Sequence, residues 1–199
     1  AQGITNPGGP TVTAPTVSDL NCNGDGSGMI MSNVVGGTPT YNYMWSDGMS
    51  QTTANATGLD AGVYSLTVGD ASNCIGTVMA ITVNEPSQVL LTVTSSNASC
   101  NGVCDGTLST TIIGGTLPYF YSWSNGNSSS SQTGLCAGTY TFTVTDMNGC
   151  SQVMSTTITE PSAITVSDVQ MNASCNGASN GSINLTTSGG TPGYGYMWT

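Results

Sequence analysis

The sequence predicts an all-β protein built from tandem β-sandwich repeats, the third of which is incomplete. Val, Ile, Thr, Tyr and Trp recur in short runs bounded by clusters of Gly, Asn and Pro, a pattern typical of strands and turns. Independent landmarks also return at a period of about 76 residues, which indicates tandem repeats. No run of about 18 apolar residues, the length of a membrane-spanning helix, is present.

The repeat period is set by motifs that keep the same spacing. Cys-Asn-Gly begins at Cys22, Cys100 and Cys175, with intervals of 78 and 75 residues. The tryptophans show the same two intervals, and "GLDAGVYSLTV" returns 76 residues later as "GLCAGTYTFTV". We therefore predict a first repeat at 1–86, a second at 87–161 and the first half of a third at 162–199.

The second repeat illustrates the predicted unit. Turns containing Asn-Gly, Asp-Gly or Gly-Gly separate six short strands, which suggests a compact immunoglobulin-like sandwich. The predicted strands are Val89–Ser95, Thr107–Ile113, Tyr119–Ser124, Ser129–Thr133, Thr139–Thr145 and Gln152–Thr159.

The third repeat stops halfway. Half a sandwich leaves an apolar face and a strand edge uncovered. The sequence therefore favours a chain that continues past Thr199, and completion by another molecule is the alternative. No signal peptide is visible at Ala1, so we expect a mature product or an excised piece.

The charge balance limits the possible partners. The chain has ten Asp and Glu, no Lys, Arg or His, and a formal net charge of −10. Such a surface excludes a basic nucleic-acid site and argues against binding to anionic lipid. It can attract metal cations, cationic partners or neutral glycans.

The stretch "GGTPTYNYMW" ends at Trp45 and returns in two copies, ending at Trp123 and Trp198. Its Tyr and Trp residues alternate and share one strand face. We place all three Trp residues in the core, and a surface ladder that stacks on sugars is the alternative. Tyr64 and Tyr140 also count as core positions, and each resembles the tyrosine corner of sandwich domains.

Seven cysteines indicate an oxidising compartment. Matching repeat positions lead us to pair Cys22 with Cys74 and Cys100 with Cys150. Cys104 and Cys136 occur only in the second repeat and are paired with each other. Cys175 stays unpaired in this chain, and its partner is expected beyond Thr199. A zinc site is the weaker alternative, because His is absent and the spacing from Cys100 to Cys104 has no counterpart in the first repeat.

The acids lie in turns. Asp25, Asp47 and Asp105 each precede Gly, and Asp70 and Asp146 occupy a second recurrent turn. Turn chemistry accounts for them. Calcium at the repeat tips is the alternative use of Asp25, Asp47 and Asp105, although no segment has EF-hand spacing. We predict no other cofactor or metal.

Catalysis has little support in the sequence. There is no His or Lys to act as a base, and no Ser lies in a Gly-x-Ser-x-Gly motif. The acids recur in repeated turns and do not form one unique pair. We therefore predict that the protein is not an enzyme.

The ordered motifs "CNGVCDGTLSTTIIGGTLPYFYSWSNG", "GLCAGTYTFTVTDMNGC" and "ITEP" of the second repeat resemble the SprB repeat of very large Bacteroidetes cell-surface proteins. The first repeat departs from the pattern at "VGDASN" and lacks the inner cysteine pair.

The resemblance implies an extracellular adhesin at the cell surface, exported by type IX secretion and acting in gliding or attachment. We expect partners among neighbouring repeats of the same protein or filament, with surface glycans as a further candidate. The alternatives are a self-assembling filament subunit completed by a neighbouring chain, and a glycan-binding module. None of these three functions involves nucleic-acid binding or insertion into a membrane.

Overall fold

The computed structural model describes residues 8–199, which form fourteen β-strands and no helix. The all-β prediction is therefore confirmed. Within this described range, no helix is long and apolar enough to cross a membrane.

The first repeat forms two antiparallel three-stranded sheets. The strands are β1 (Thr11–Ser18), β2 (Gly28–Val35), β3 (Asn42–Trp45), β4 (Asn55–Leu59), β5 (Gly62–Gly69) and β6 (Ile75–Val83). One sheet has the order β1-β2-β4 and the other β3-β5-β6. Side chains alternate between the core and solvent along β2 and β5, as half-buried strands require.

The apolar faces of the two sheets enclose one core, so the first repeat is a β-sandwich. Trp45 is buried there, as the sequence predicts. The buried members come from both sheets and from the segment after β1: Leu20, Ile30, Trp45, Ala56, Leu59, Leu66, Val68, Ile81 and Val83.

The second repeat has the six strands that the sequence predicts, each bound lying within two residues of its predicted position. They are β7 (Leu90–Ser96), β8 (Gly106–Ile113), β9 (Phe120–Trp123), β10 (Ser131–Leu135), β11 (Gly138–Thr145) and β12 (Ser151–Ile158). The sheet orders are β10-β8-β7 and β12-β11-β9. The ring of Trp123 is buried and packs on Phe142 with 4.4 Å between centroids.

The third repeat is a two-stranded antiparallel sheet of β13 (Thr165–Met171) and β14 (Ser182–Ser188). Ile183 of β14 is 52% exposed, whereas its counterparts Ile30 and Leu108 are 0% and 1% exposed. Trp198 is 64% exposed and lies outside any strand. Its predicted core position is therefore wrong for this structure, because no second sheet of the described residues covers β13 and β14.

The described residues divide into two compact units by their internal contacts. The first unit comprises the described chain up to Leu90 together with Ile113–Phe120 and Thr145–Gln152 of the second repeat. The other unit comprises Leu91–Ile112, Tyr121–Val144 and Val153–Thr199.

The difference in burial between Leu108 and Ile183 predicts that truncating these two equivalent side chains changes the free energy of unfolding by different amounts. Leu108→Ala removes a buried side chain and should lower the free energy of unfolding by about 3 kcal/mol. Ile183→Ala at the matching exposed position should cost less than about 1 kcal/mol. Urea unfolding followed by Trp fluorescence measures both, and equal losses for the two variants would contradict the structure.

Candidate functional site

A buried carboxylate in the first repeat joins two separate turns. One oxygen of Asp70 accepts the N–H of Thr38 at 2.8 Å. The other accepts the N–H groups of Ser72 and Cys74 at 2.9 and 2.8 Å. The side chain is 4% exposed. The hydrogen bond from the backbone N–H of Thr38 is the main reason why the pKa of Asp70 lies below its ordinary value. Desolvation opposes this effect, and the N–H groups of Cys74 and Ser72 lower the pKa further.

The second repeat contains the same arrangement around Asp146. Its carboxylate accepts the N–H groups of Thr116, Asn148 and Cys150, each at 2.9 Å. The side chain is 1% exposed. We call each set, Asp70 with Thr38 and Asp146 with Thr116, an Asp clasp. It fixes the Gly-Gly-Thr turn to the loop that ends in Cys74 or Cys150.

The second glycine of each Gly-Gly-Thr turn makes room for the clasp. Gly37 and Gly115 have φ of 70° and 68°, in the left-handed region that favours glycine. A Cβ atom on Gly37 would lie 2.9 Å from the Asp70 carboxylate, and one on Gly115 would lie 2.6 Å from Val89. Both the positive φ and the close packing therefore favour glycine at these two positions.

The Cys-Asn-Gly loop is fixed to the Glu-Pro segment that ends its own repeat. Glu85 accepts the N–H of Gly24 at 2.8 Å, and Asn23 donates to the carbonyl of Pro86 at 3.3 Å. In the second repeat Glu160 accepts from Gly102 and from the Asn101 amide, at 2.8 and 2.9 Å. The cysteine that precedes Asn-Gly therefore lies beside the start of the next repeat.

The predicted bond between Cys22 and Cys74 is wrong. Cys22 lies at the end of the first sandwich where Gly24 donates to Glu85. Glu85 follows closely after Val83, the last residue of β6, so Cys22 lies near the end of that strand. Cys74 directly precedes β6, so the nine-residue strand separates the two ends by roughly 27 Å. A disulfide requires Cα atoms about 4.4–6.8 Å apart.

Cys22 is instead bonded to Cys150 of the second repeat, with 5.5 Å between their Cα atoms. The Asn148 side chain reinforces this joint by donating to the carbonyl of Asn21 at 3.0 Å. The predicted Cys100–Cys150 bond is therefore also wrong. The bond closes a 128-residue interval, a constraint worth about 5 kcal/mol in the chain-entropy model.

The other described cysteines divide into one pair and three free thiols. Cys104 is bonded to Cys136, the pair that the sequence predicts. Cys74 is half-buried and free, and Cys100 and Cys175 are exposed and free.

The aromatic residues act as structural ties. The indole N–H of Trp45 donates to the carbonyl of Thr53 at 2.9 Å, and that of Trp123 to Ser129 at 2.8 Å. The hydroxyl of Tyr41 donates to the carbonyl of Gly36 at 2.6 Å. The rings of Trp45 and Trp123 are buried and hydrogen-bonded, so they are not free to stack on sugars.

Tyr64 and Tyr140 form the predicted tyrosine corners. Their hydroxyls donate to the carbonyls of Asp60 and Cys136, at 2.8 and 3.0 Å. Both side chains are half-buried, so they lie at the margin of the core and not at its centre. Desolvation, followed by the charge of Asp60, raises the pKa of Tyr64 above its ordinary value.

The calcium candidates are hydrogen-bonded within their own turns. Asp25 accepts from the N–H of Cys22 and from the hydroxyl and N–H of Ser27, at 2.9, 2.7 and 3.0 Å. Asp105 accepts from the N–H of Ser99 at 2.8 Å. These side-chain and backbone hydrogen bonds lower the pKa of Asp25 and of Asp105 below the ordinary value.

Asp47 accepts from the backbone N–H and side-chain amide of Gln51, at 2.9 and 2.6 Å. Between residues 8 and 199, no three His, Cys, Asp or Glu side chains converge to hold a metal ion. Calcium needs six to eight oxygen ligands at one point, and the structure does not bring Asp25, Asp47 and Asp105 together as such a site.

The SprB repeat model matches residues 14–50, 92–128 and 167–199, more than half of the chain. The chain belongs to the SprB repeat family. Each matched SprB segment contains the Cys-Asn-Gly loop and the Trp that closes the aromatic motif. The Asp clasp residues Asp70 and Asp146, and the Glu-Pro segments, lie outside the matched segments.

A similar solved structure is the crystal structure of the C-terminal 282-residue fragment of intimin in complex with the translocated intimin receptor intimin-binding domain. The identity is 16% and the TM-score 0.40. The alignment covers 78% of this SprB chain and 66% of that one. No curated protein sequence matches.

Sequence reasoning missed the roles of Asp70 and Asp146 and of Glu85 and Glu160. A signal was present, because each pair recurs at 75–76 residues, the spacing of the SprB repeats. Turn composition alone does not show which distant N–H groups a carboxylate accepts.

The lowered pKa values predict the acid sensitivity of this SprB chain. Asp25, Asp70 and Asp105 have folded-state pKa values below the ordinary 3.8. Their stabilising contribution is therefore complete above that value and is lost as pH falls from about 4 through the lower folded-state values. We expect the urea midpoint to fall steeply between pH 4 and pH 2.

Asp70→Asn should flatten this pH dependence and lower the midpoint at pH 7. Asp60→Asn is the matched control, because the exposed Asp60 side chain belongs to no clasp. An unchanged acid slope in Asp70→Asn would show that the first clasp does not cause the effect.

Proposed function

We propose that this chain is a structural and adhesive segment of a long extracellular fibre at the cell surface. The observation that carries the proposal is membership of the SprB repeat family in three successive segments. The Asp clasps, the Glu-Pro contacts and the Cys22–Cys150 bond add structural support, because all of them hold turns or repeats in place. The repeats extend over 1–86, 87–161 and 162–199 in this proposal.

The adhesive part of the proposal rests on repetition. Many copies of one weak contact give strong attachment through avidity, without a single deep site. The surface carries no cation because the chain contains no Lys, Arg or His, so it suits neutral or cationic surfaces better than polyanions. Attachment during gliding and export by type IX secretion form the finer part of the proposal and rest on the family resemblance alone.

Glycan binding is a second candidate, favoured by one feature. Tyr196 and Trp198 are exposed, at 56% and 64%, and exposed aromatic rings are suited to stacking on sugars. The buried Trp45 and Trp123 do not offer such a surface.

Mechanical extension tests the structural part. In the oxidised chain the Cys22–Cys150 bond removes a 128-residue interval from the path between the termini, and the Cys104–Cys136 loop of 32 residues lies inside it. Cys22→Ser should therefore add roughly 96 residues, or about 330 Å, to the fully stretched length in single-molecule pulling.

Cys104→Ser is the control and should leave the stretched length unchanged, because its loop is already bypassed. An unchanged length in Cys22→Ser would contradict a mechanical role for this bond.

Flow detachment tests the adhesive part. Beads that carry the folded chain at rising density should resist detachment from a neutral surface more than in proportion to density, as avidity requires. Beads with the same chain reduced, alkylated and unfolded in urea provide a control of identical composition. Equal retention of the two bead types would sink the adhesive proposal, and inhibition by one free sugar would favour the glycan module.

A further inference from the structure

The cavity at the joint between the first two repeats has a counterpart beside the third repeat, where no Gly-Cys loop of the described residues lines the other side. At the first joint, Cys22, Asn23 and the linker residues Ser87–Val89 line a cavity of about 250 Å³, and Gly149–Gln152 form its other side. The corresponding residues Cys100, Asn101 and Ser162–Ile164 line a cavity of about 430 Å³. Its remaining lining includes Gly190 and Thr191, the counterparts of Gly115 and Thr116.

The turn at this second cavity is built like the turns that hold an Asp clasp. Gly190 donates its N–H to the carbonyl of Ser162 at 2.7 Å, as Gly115 does to Ser87 at 2.9 Å. Tyr194 donates to the carbonyl of Gly189, as Tyr119 does to that of Gly114. The receiving turn is therefore already formed in the third repeat.

The backbone of Thr191 lacks the partners that its counterparts have. Thr38 and Thr116 each donate their N–H to an Asp and accept a backbone N–H, from Ala71 and Met147 respectively. Among residues 8–199, no carboxylate accepts from Thr191, which is exposed. Cys100, on the same cavity, is a free exposed thiol.

We propose that Cys100 and Thr191 together form a docking site for an Asp-x-x-Gly-Cys loop, the loop type that ends at Cys150. The loop's Asp accepts the N–H of Thr191, and its Cys forms a disulfide with Cys100. Each Cys-Asn-Gly cysteine then bonds to the Gly-Cys position of the repeat that follows, as Cys22 does. Cys74 holds the position of Cys150 in the first repeat, with Asn73 where the second repeat has Gly149.

The bond forms by ordinary thiol–disulfide chemistry. The oxidant is a small-molecule or protein disulfide. It takes up two electrons and two protons from the two thiols and is released as a reduced dithiol. If the loop cysteine is already a mixed disulfide, the Cys100 thiolate attacks its sulfur and the leaving thiolate takes up a proton. The proposal does not depend on the adhesive role.

A peptide with the sequence of Thr145–Gln152 tests the site on the intact chain. Its cysteine carries a thiopyridine leaving group, and mass spectrometry follows which thiol of the chain captures it. Cys100 should react at least about tenfold faster than Cys175, which has the same Cys-Asn-Gly sequence, because the docked peptide is held near the thiol. A peptide with Asn in place of Asp146 should lose this preference.

A peptide of scrambled sequence gives the intrinsic reactivity of each thiol without docking. Equal capture rates at Cys100 and Cys175, after division by these intrinsic rates, would overturn the proposal. A second chain tests the same bond without a free peptide. In this chain Thr199 is replaced by a copy of residues 124–161, which continues the third repeat after Trp198 as the second repeat continues after Trp123. Cys136 of the copy is replaced by Ser, so that the copied Cys150 is its only cysteine. Disulfide mapping should pair the copied Cys150 with Cys100, and pairing with Cys175, or no pairing, would reject the site.

Discussion

The contact on which most of this structure depends is a buried carboxylate that accepts three backbone N–H groups. A charged group can be buried when its hydrogen bonds are satisfied, and such charge-assisted bonds are stronger than neutral ones. Asp70 and Asp146 meet this condition. Each therefore fixes the turn before the Trp strand to the loop between the last two strands of its repeat. In the second repeat this places Cys150 at the end of the sandwich where the first repeat joins.

The second constraint is the length of the strands. The nine residues of β6 separate the two ends of the first sandwich far beyond the reach of a disulfide. The Glu-Pro contacts hold the Cys-Asn-Gly loop at the end opposite to the clasp. A cysteine at one end and a cysteine at the other can then meet only across a joint, as Cys22 and Cys150 do. The Cys22–Cys150 bond therefore stiffens the joint between successive repeats, whereas Cys104–Cys136 closes a loop within the second repeat.

Burial by a second sheet determines how the same residue type behaves in different repeats. The motif residues Trp45 and Trp123 lie between two sheets, donate their indole N–H groups to nearby carbonyls and are buried. Trp198 has the same local sequence but no covering sheet in the described chain, and its ring is exposed. Local sequence is therefore sufficient to form the Gly-Gly-Thr turn, which is intact in all three repeats, but not to bury the aromatic residue that follows it.

The amino-acid sequence by itself determined the all-β class, the period and the six strands of the second repeat, because alternation and turn residues are local signals. It also determined the tyrosine corners, since Tyr64 and Tyr140 bond to carbonyls only four residues away. Only the tertiary structure decided the partner of Cys22, the burial of Asp146 and the exposure of Trp198. These features depend on which ends and faces of separate strands come together in space, and repeat spacing shows that two cysteines are equivalent without showing that they are near each other.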